Sequence, residues 1–223
     1  MDLDGQVILI AGGAGALGQT VVPACIRAGA TVITADRQMP AGSSGTSAMQ
    51  ADVTDEADVR RLVNDVIRKA GRIDALVNLV GGFAMGRVEE TDAILWQRML
   101  TINVTAAFLL SKAVLPGMVE RGAGRIIHVA ARAAVEPFPG AAAYVVSKSA
   151  LVSLIRALSL EHAGSGVTVN GILPATIDTA ANRASMPNAD TSKWVAPDSI
   201  AQLAIFLASR DARQINGALI PIG

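Results

Sequence analysis

The stretch Ala11-Gly12-Gly13-Ala14-Gly15-Ala16-Leu17-Gly18 directly follows an apolar run, Val7–Ala11, made of strand-forming residues. Glycines 13, 15 and 18 fit the pattern G-x-G-x-x-G at a strand-to-helix turn. Such glycines permit a tight turn and let backbone N–H groups at a helix N-terminus approach a pyrophosphate. Glycine-rich turns also occur for packing alone, so the position between strand and helix gives the match its weight. We predict a dinucleotide-binding turn formed by Gly12, Gly13, Gly15, Ala16, Leu17 and Gly18.

Short apolar runs alternate with segments of helical period along the rest of the chain. The predicted strands are 7–11, 31–35, 49–52, 75–80, 125–129, 167–173 and 218–222. The predicted helices are 17–28, 55–70, 91–121, 142–162 and 197–209, with a break near Asn103 or Val104 as one option. Most strands are apolar throughout, as expected when helices cover both faces of a parallel sheet. The fold class is therefore α/β, a doubly wound parallel sheet in one domain over residues 1–223.

Composition limits the classes of function. The chain has 223 residues, of which 51% are hydrophobic, enough for one domain with a sizeable core. Its 19 basic and 19 acidic residues form no run of one sign, so neither nucleic acid nor an anionic membrane is an expected partner. The N-terminus is acidic rather than basic, and we expect no apolar run to cross a bilayer, which favours a cytoplasmic protein. Cys25 is expected to be a buried, unreactive thiol, and no His or Cys cluster indicates a metal.

Two irregular segments interrupt the alternation. Residues 40–47 are rich in Gly and Ser and are predicted to form a surface loop. Residues 175–196 follow the carboxyl end of a strand, where open α/β sheets bind ligands. Because a connection of this length is usually a binding loop, we predict a substrate lid at 175–196.

Two acidic positions are candidates for the adenosine half of a dinucleotide. Asp36 ends the second strand, where a carboxylate can accept hydrogen bonds from the ribose hydroxyls and repel a 2′-phosphate. This favours NAD(H), although Arg37 could clamp that phosphate, which leaves NADP(H) as the alternative. A surface Asp–Arg pair without function is the other interpretation. Asp52, followed by Val53, could accept from the adenine amino group or cap the next helix.

The fourth strand ends in Asn78-Leu79-Val80-Gly81-Gly82, whose glycines allow close approach of a flat ligand, although a simple tight turn would look similar. The chain's only tyrosine, Tyr144, lies four residues before Lys148. On a helix this spacing places both side chains on one face, so the ammonium can stabilise a phenolate and lower a pKa that is ordinarily about 10. A solvated pair without function has the same spacing.

The chain resembles the short-chain dehydrogenase/reductase family in the order and spacing of its motifs, over nearly its whole length. These motifs are the glycine turn, Asn78 with Gly81, Asn103, Tyr144-x-x-x-Lys148 and Pro174. The resemblance implies a Rossmann-type domain that binds NAD(H) or NADP(H) and acts on a small molecule. It implies that Tyr144 exchanges a proton with the substrate and that Lys148 holds the nicotinamide ribose. Asn103 would hold a water in a proton relay, or be a helix amide satisfied locally.

The same resemblance implies further contacts. Pro174, the backbone of Ile177 and the hydroxyl of Thr179 would meet the cofactor, although loop threonines usually cap turns. It also implies a homotetramer or dimer built through the helices at 91–121 and 142–162. His128, inside the fifth predicted strand, is interpreted as a structural residue.

One departure from the family matters for the chemistry. The usual catalytic serine lies thirteen residues before the tyrosine, and here that position is Ala131. Residues 130–143 contain no Ser or Thr. Losing such a hydrogen-bond donor typically costs about 10²–10³ in the rate of oxyanion chemistry, so ordinary ketone reduction is handicapped.

One branch, the dihydropteridine reductases, is similar in the glycine turn, the paired glycines 81 and 82 and the alanine at 131, and in much of the segment 173–194. These enzymes reduce a quinonoid dihydropterin, an electron-poor ring that forms no carbonyl oxyanion. Asn103 departs from that branch. Met186 and Trp194 could pack on a planar substrate or anchor the lid, and Arg183 and Asp190 could orient its polar edges or be solvated.

Three functions follow in order of preference. The first is an NAD(H)-preferring short-chain reductase of a planar substrate such as a quinonoid dihydropterin. The second is a small alcohol or ketone dehydrogenase in which another donor replaces the serine. The third, motivated by the same missing serine, is a dinucleotide-binding protein without catalytic activity.

Overall fold

The computed structural model describes residues 2–38 and 47–223. Within them, seven parallel strands form one sheet in the order β3-β2-β1-β4-β5-β6-β7. The strands are β1 (Val7–Ala11), β2 (Thr31–Asp36), β3 (Ser47–Gln50), β4 (Ala75–Asn78), β5 (Gly124–Val129), β6 (Val167–Pro174) and β7 (Leu219–Ile222). The strand order reverses between β1 and β4, and such a reversal opens a ligand crevice at the carboxyl ends of the strands.

Helices cover both faces of the sheet, which confirms the predicted doubly wound α/β fold. They are α1 (Gly18–Arg27), α2 (Glu56–Ala70), α3 (Ala93–Leu100), α4 (Ala106–Glu120), α5 (Ala142–Glu161), α6 (Ala180–Ser185) and α7 (Pro197–Ala208). One core cluster joins the sheet to α2, α4 and α5 and includes Leu62, Leu110 and Leu151. The other joins it to α1 and α7 and includes Val21 and Ile200. Both faces are thus buried, and the polar chemistry lies at the strand ends.

Two strands, β4 and β3, have ends that differ from the prediction by two residues, while the ends of the other strands agree within one residue. The strand β4 ends at Asn78 rather than at 80, because the Asn78 side chain accepts a hydrogen bond from the Val80 N–H and turns the chain. The strand β3 spans Ser47–Gln50 rather than 49–52, so Asp52 lies beyond the strand. Ser47 of the predicted loop belongs to this strand, and residues 40–46 of that loop lie outside the described residues.

The long predicted helix 91–121 is divided at the expected place. A π turn, Thr101–Thr105, joins α3 to α4 and contains Asn103. The helix α3 begins after Asp92, whose carboxylate accepts a hydrogen bond from the Leu95 N–H at 2.7 Å. Single π turns inside helices often occur at functional sites, and this one turns a buried amide toward the β4 loop.

Two helical stretches, Ala93–Glu120 and Ala142–Glu161, are long and apolar enough to span a membrane by length and composition. This contradicts the expectation that no apolar run would reach that length. Both stretches pack against the sheet and against neighbouring helices, and about half of each apolar window is buried in the protein. Core helices of soluble proteins have the same character, and we assign both stretches to the core.

Candidate active site

The glycine turn between β1 and α1 is closely packed. Gly12 has a φ of +83°, and a Cβ added there would lie 3.1 Å from the backbone nitrogen of Val80. A Cβ on Gly18 would lie 2.1 Å from the carbonyl oxygen of Gly13. Gly15 and Ala16 are exposed just before the N-terminus of the ten-residue helix α1. The turn therefore packs against the β4 loop on one side and presents helix N-terminal N–H groups on the other, as a pyrophosphate requires.

Asp36 lies beside this turn at the end of β2. Its Oδ2 accepts a hydrogen bond from the Ala14 N–H at 2.8 Å. Burial raises the pKa of the Asp36 carboxyl, and the N–H groups of Ala14 and Gly13 oppose that rise. Arg37 is exposed and forms no ion pair with Asp36 in the described part of the chain. The carboxylate therefore faces the glycine turn, where an adenosine ribose would lie.

Next to this carboxylate is a cavity of about 600 Å³. It is lined by Arg37, by the β4 loop and by one face of α3 that includes Arg98. The lining extends from Arg37 at the end of β2 to Gly81 and Gly82, and the two guanidinium groups along the wall suit an anionic ligand.

Asp52 holds a turn and does not cap the helix. Its Oδ1 accepts hydrogen bonds from the Thr54 N–H at 2.9 Å and the Thr54 hydroxyl at 2.6 Å, which lower the pKa of the Asp52 carboxyl. The cap of α2 is Asp55, which accepts from the Asp58 N–H at 2.8 Å. The predicted helix-cap alternative for Asp52 is therefore wrong. Val53 is buried in the core beneath this turn.

Asn78 and Asn103 fix the β4 loop from two sides. Asn78 Oδ1 accepts from the Val80 N–H at 3.0 Å. Asn103 Oδ1 accepts from the Gly82 N–H at 2.9 Å, and its Nδ2 donates to the Gly82 carbonyl at 3.0 Å and to Ser147 Oγ at 2.9 Å. The partners of the Asn103 side chain lie on the β4 loop and on α5 and not in its own helix, so the amide is not satisfied locally as one interpretation expected, and the relay role stays a prediction. The Asn103 amide clamps the loop that carries Gly81.

Lys148 reaches the same loop from α5. Its Nζ donates to the Val129 carbonyl at 3.0 Å, and burial lowers the pKa of the ammonium to about 8. A Cβ added to Gly81 would lie 3.0 Å from both Lys148 Nζ and Asn103 Oδ1. The structure therefore brings Gly81, Asn103 and Lys148 together at the carboxyl ends of β4 and β5.

Tyr144 lies one helical turn before Lys148 on α5. Burial raises the pKa of its phenol to about 12, which is opposite to the expected lowering. The reason is that the ring is largely enclosed while the Lys148 ammonium is directed at the Val129 carbonyl. The expectation that Lys148 lowers this pKa is not met in the free protein.

An apolar surface that the motifs did not predict surrounds Tyr144. The Phe83 ring meets the Tyr144 ring edge to face, with 4.8 Å between centroids, and is 58% exposed. Met85 and Phe138 are exposed as well. Backbone hydrogen bonds from Gly86 to Gly140 and from Ala142 to Gly86 hold the two loops side by side. The sequence signal that could have indicated this surface was the presence of these apolar residues in the loops that follow β4 and β5.

Ala131 lies two residues beyond the end of β5. It is 5% exposed and precedes the 3₁₀ turn Arg132–Ala134. Ser147 and Ser149, the hydroxyls flanking Lys148 in sequence, donate to the carbonyls of Tyr144 and Ala134. The position assigned to the family serine thus carries only a methyl group.

The segment 175–196 is an ordered loop that contains α6. Ile177 and Val195 form a bridge at its base, and Pro174 ends β6 in register with Ile222 of β7. Thr179 caps α6 by accepting from the Asn182 N–H at 3.2 Å. This is the capping interpretation of Thr179.

Side chains of the same segment have local roles. Asn182 Nδ2 donates to the Ile177 carbonyl at 2.8 Å. Arg183 pairs with Asp178 at 2.5 Å and 2.7 Å, and Asp190 accepts from the Ser192 N–H at 3.0 Å. Met186 is 39% exposed and Trp194 is half-buried. Arg183 and Asp190 thus stabilise the loop, and Met186 presents apolar surface.

Two further expectations concern sulfur and metals. Cys25 is fully buried in the core between the sheet and α1, and burial raises the pKa of its thiol to about 12. Among residues 2–38 and 47–223, no group of three or more His, Cys, Asp or Glu is arranged to hold a metal ion.

The fold and this site define an oxidoreductase built on a dinucleotide-binding domain. A family model described as short chain dehydrogenase matches residues 6–190. The chain therefore belongs to the short-chain dehydrogenase/reductase family, and it is an NAD(P)-dependent oxidoreductase of a small molecule.

Curated relatives align over nearly the whole chain. The 2-(S)-hydroxypropyl-CoM dehydrogenase 3 of Xanthobacter autotrophicus is 32% identical over 99% of this chain and 96% of its own length. The meso-2,3-butanediol dehydrogenase of Serratia marcescens is 31% identical over 100% of this chain and 94% of its own length. A third relative, described as inactive 2-(S)-hydroxypropyl-CoM dehydrogenase 2 of Xanthobacter autotrophicus, is 33% identical over 89% of this chain and 96% of its own length.

A solved structure agrees with the fold. The crystal structure of gox2181 superposes with a TM-score of 0.92 at 27% identity, covering 99% of this chain and 95% of that chain.

Proposed function

We propose that this protein is an NAD(H)-preferring reductase of a small, planar, conjugated substrate such as a quinonoid dihydropterin, with Tyr144 as its proton donor. The observation that carries the proposal is Ala131, a buried methyl group where the family resemblance places a serine. A substrate that forms no carbonyl oxyanion does not need that hydroxyl.

The apolar surface supports a planar substrate. Phe83 already packs edge to face on Tyr144 and exposes more than half of its surface. Aromatic and thioether groups pack well on ring faces, and Met85, Phe138 and Met186 are exposed. A ring seated on this surface would lie beside the Tyr144 hydroxyl.

When bound, the nicotinamide supplies the hydride. The pKa of about 12 keeps the Tyr144 phenol protonated at neutral pH, so it is ready to donate its proton to the reduced ring. Lys148, with a pKa of about 8, is mostly an ammonium at neutral pH and can hold a ribose hydroxyl and stabilise the phenolate left behind. Since the Asn103 amide is engaged with Gly82 and Ser147, we propose that Asn103 supports proton relay by fixing this loop.

Cofactor binding is proposed to follow the sequence predictions. Asp36 beside the glycine turn favours NAD(H) over NADP(H), and Arg37 remains the residue that would favour the phosphorylated form. The remaining proposed contacts are Gly12, Gly13, Gly15, Ala16, Leu17, Gly18, Asp52, Val53, Asn78, Gly81, Pro174, Ile177 and Thr179. We further propose that 175–196 covers the substrate, that the protein is a homotetramer or dimer, and that it is cytoplasmic.

A second candidate is a dehydrogenase of a small secondary alcohol. Relatives named for hydroxypropyl-CoM and butanediol favour it. In this chain such a reaction would need a water or a loop group in place of the serine. The third, a protein that binds the dinucleotide without catalysis, gains support from the relative described as inactive.

A substrate panel with NADH and NADPH tests the proposal. We expect turnover of quinonoid dihydropterin with NADH, little reduction of simple ketones, and loss of turnover in Tyr144→Phe. Ketone reduction or alcohol oxidation without pterin turnover would support the second candidate instead. Cofactor binding that is unchanged in Tyr144→Phe, with no activity of either form on the panel, would support the third.

A further inference from the structure

His128 is a buried imidazole that the proposed reaction does not use. It lies in β5 directly beside Asn78 of β4 in the sheet register, and it is 0% exposed. Both ring nitrogens have partners. Nδ1 is 3.2 Å from Asn78 Nδ2, and Nε2 is 3.0 Å from Ser111 Oγ on α4.

These partners determine the position of the ring proton. Asn78 Oδ1 accepts from the Val80 N–H, so the Asn78 atom that faces the ring is the amide nitrogen, a donor, and Nδ1 must accept. Ser111 Oγ donates to the Ala107 carbonyl, so it accepts from Nε2. His128 is therefore neutral with its proton on Nε2. Burial and the nearby Lys148 charge lower its pKa to about 3, in agreement with that state.

The chain of hydrogen bonds leads to the β4 loop. From His128 Nδ1 it passes through the Asn78 amide to the backbone of Val80, which packs against Gly12 of the glycine turn. At the next residue, Gly81, a Cβ would lie 3.0 Å from Lys148 Nζ, so only a glycine leaves room for the lysine here. Lys148 Nζ in turn donates to the carbonyl of Val129, the residue after His128. The end of β5 thus locates both the loop and the lysine.

We propose that His128 is a positioning residue, whose Nδ1 orients Asn78 and so sets the β4 loop for the dinucleotide. The opposite nitrogen, through Ser111, contributes to stability and not to cofactor affinity. His128 itself touches neither cofactor nor substrate.

Two amide variants separate the two nitrogens. In His128→Asn, the side-chain oxygen can lie near the place of Nδ1 and accept from Asn78. In His128→Gln, the longer side chain places its amide near the position of Nε2. No acceptor then remains for the Asn78 amide at the position of Nδ1. Fluorescence titration with NADH and with NADPH gives the dissociation constants, and thermal melts give the stabilities.

We expect His128→Gln to weaken affinity for the preferred nucleotide about five- to tenfold, the worth of one hydrogen bond. We expect His128→Asn to keep most of the native nucleotide affinity, at a melting temperature similar to that of His128→Gln. Ser111→Ala should lower the melting temperature without that loss of affinity. Equal affinities for the two amide variants, or affinities that follow melting temperature across all three, would overturn the proposal.

A variant at the other end of the hydrogen bond gives an independent test. Asn78→Ala removes the group through which His128 acts, so it should weaken nucleotide binding at least as much as His128→Gln. Combining the two should add little to the loss from Asn78→Ala alone, because both break the same connection. Fully additive losses would contradict the assignment. If His128→Gln does not fold, the same cycle is run with His128→Phe, which also removes the acceptor at Nδ1. Its effect on nucleotide affinity should vanish in the Asn78→Ala background if His128 acts through Asn78, and an undiminished effect would overturn the proposal.

Discussion

The proposed cofactor side and the proposed substrate side of this site are built in opposite ways. On the cofactor side, Asn78, Asn103 and Lys148 are buried, and their polar side-chain groups are bonded mainly to backbone at the ends of β4 and β5. On the substrate side, Phe83 and Met85 are exposed and lie on a loop paired with its neighbour through the backbone. The first arrangement fixes the positions of the polar groups for the reaction that members of the family have in common. The second leaves side chains free to define one substrate.

The largest expected effect comes from a change at Tyr144, the residue that connects the two sides. Tyr144→Phe removes the proposed proton donor, so kcat/KM should fall about 10²- to 10⁴-fold, the usual contribution of general acid catalysis. NADH affinity should stay within about twofold, because the ring and its contact with Phe83 remain. Steady-state kinetics and nucleotide titration measure both quantities. Val146→Ala, an exposed position on the same helix, is the matched control, and equal activity of the two variants would exclude Tyr144 as the donor.

The buried polar side should make the free energy of unfolding fall at acidic pH. His128 has a pKa of about 3 in the fold, whereas in the unfolded chain it takes up a proton below about 6.5. The unfolded state therefore binds more protons between these values, and stability falls as pH falls through that window. From pH 7.5 to pH 5, this group should remove about 2 kcal/mol from the free energy of unfolding.

Urea unfolding at the two pH values checks this effect in the native protein and in His128→Asn. The variant should lack that part of the loss. Lys148, the charged group near the ring, has a pKa of about 8, so it is mostly protonated at pH 7.5 and fully protonated at pH 5, and this small change is common to both proteins. The contribution of Asp36 is common to both proteins and cancels. Equal pH dependence in the two proteins would mean that His128 is not held neutral by the fold.

Ala131→Ser tests whether the missing hydroxyl decides the substrate. The position is buried, and a serine there would supply the hydroxyl that the family resemblance assigns as a donor to a carbonyl oxygen. We expect ketone reduction to rise about tenfold or more, part of the 10²–10³ attributed to such donors, while dihydropterin turnover stays nearly constant. Ala133→Ser, in the adjoining 3₁₀ turn, is the control with the same added atom. Equal gains at both positions would show that the hydroxyl does not act at the site.

The smallest effect concerns the exposed side. Phe83→Ala removes one aromatic face, which should raise KM for a planar substrate about fivefold, in line with about 1 kcal/mol for an aromatic contact. Since proton donation and nucleotide binding do not involve this ring, kcat and the affinity for NADH should change little. Val88→Ala, which is 75% exposed on the same loop, is the control. An unchanged KM would place the substrate elsewhere.

The contrast between the two sides also explains how much of the fold and of the site could be predicted from the sequence. The alternation of elements, the glycine turn and the spacing of Tyr144 and Lys148 depend on local pattern, and the fold follows from them. The phenol pKa depends on how much protein encloses the ring, so spacing alone gave the wrong direction. Asp52 and Thr179 were ambiguous because short polar side chains after strands serve caps and turns as readily as ligands. The apolar surface at Phe83 required two loops that are distant in sequence to come together.

The π turn Thr101–Thr105 has a consequence for the helix that contains it. An α-helix advances about 100° per residue, so one additional residue in a turn rotates everything beyond it by that angle. The part before the turn packs against α5, while the part after it packs against α2 and β5. Deleting one residue from the turn would restore a regular helix but swing one of these two faces out of its contacts. The length of the chain between Leu100 and Ala106 is therefore as constrained as the identity of Asn103.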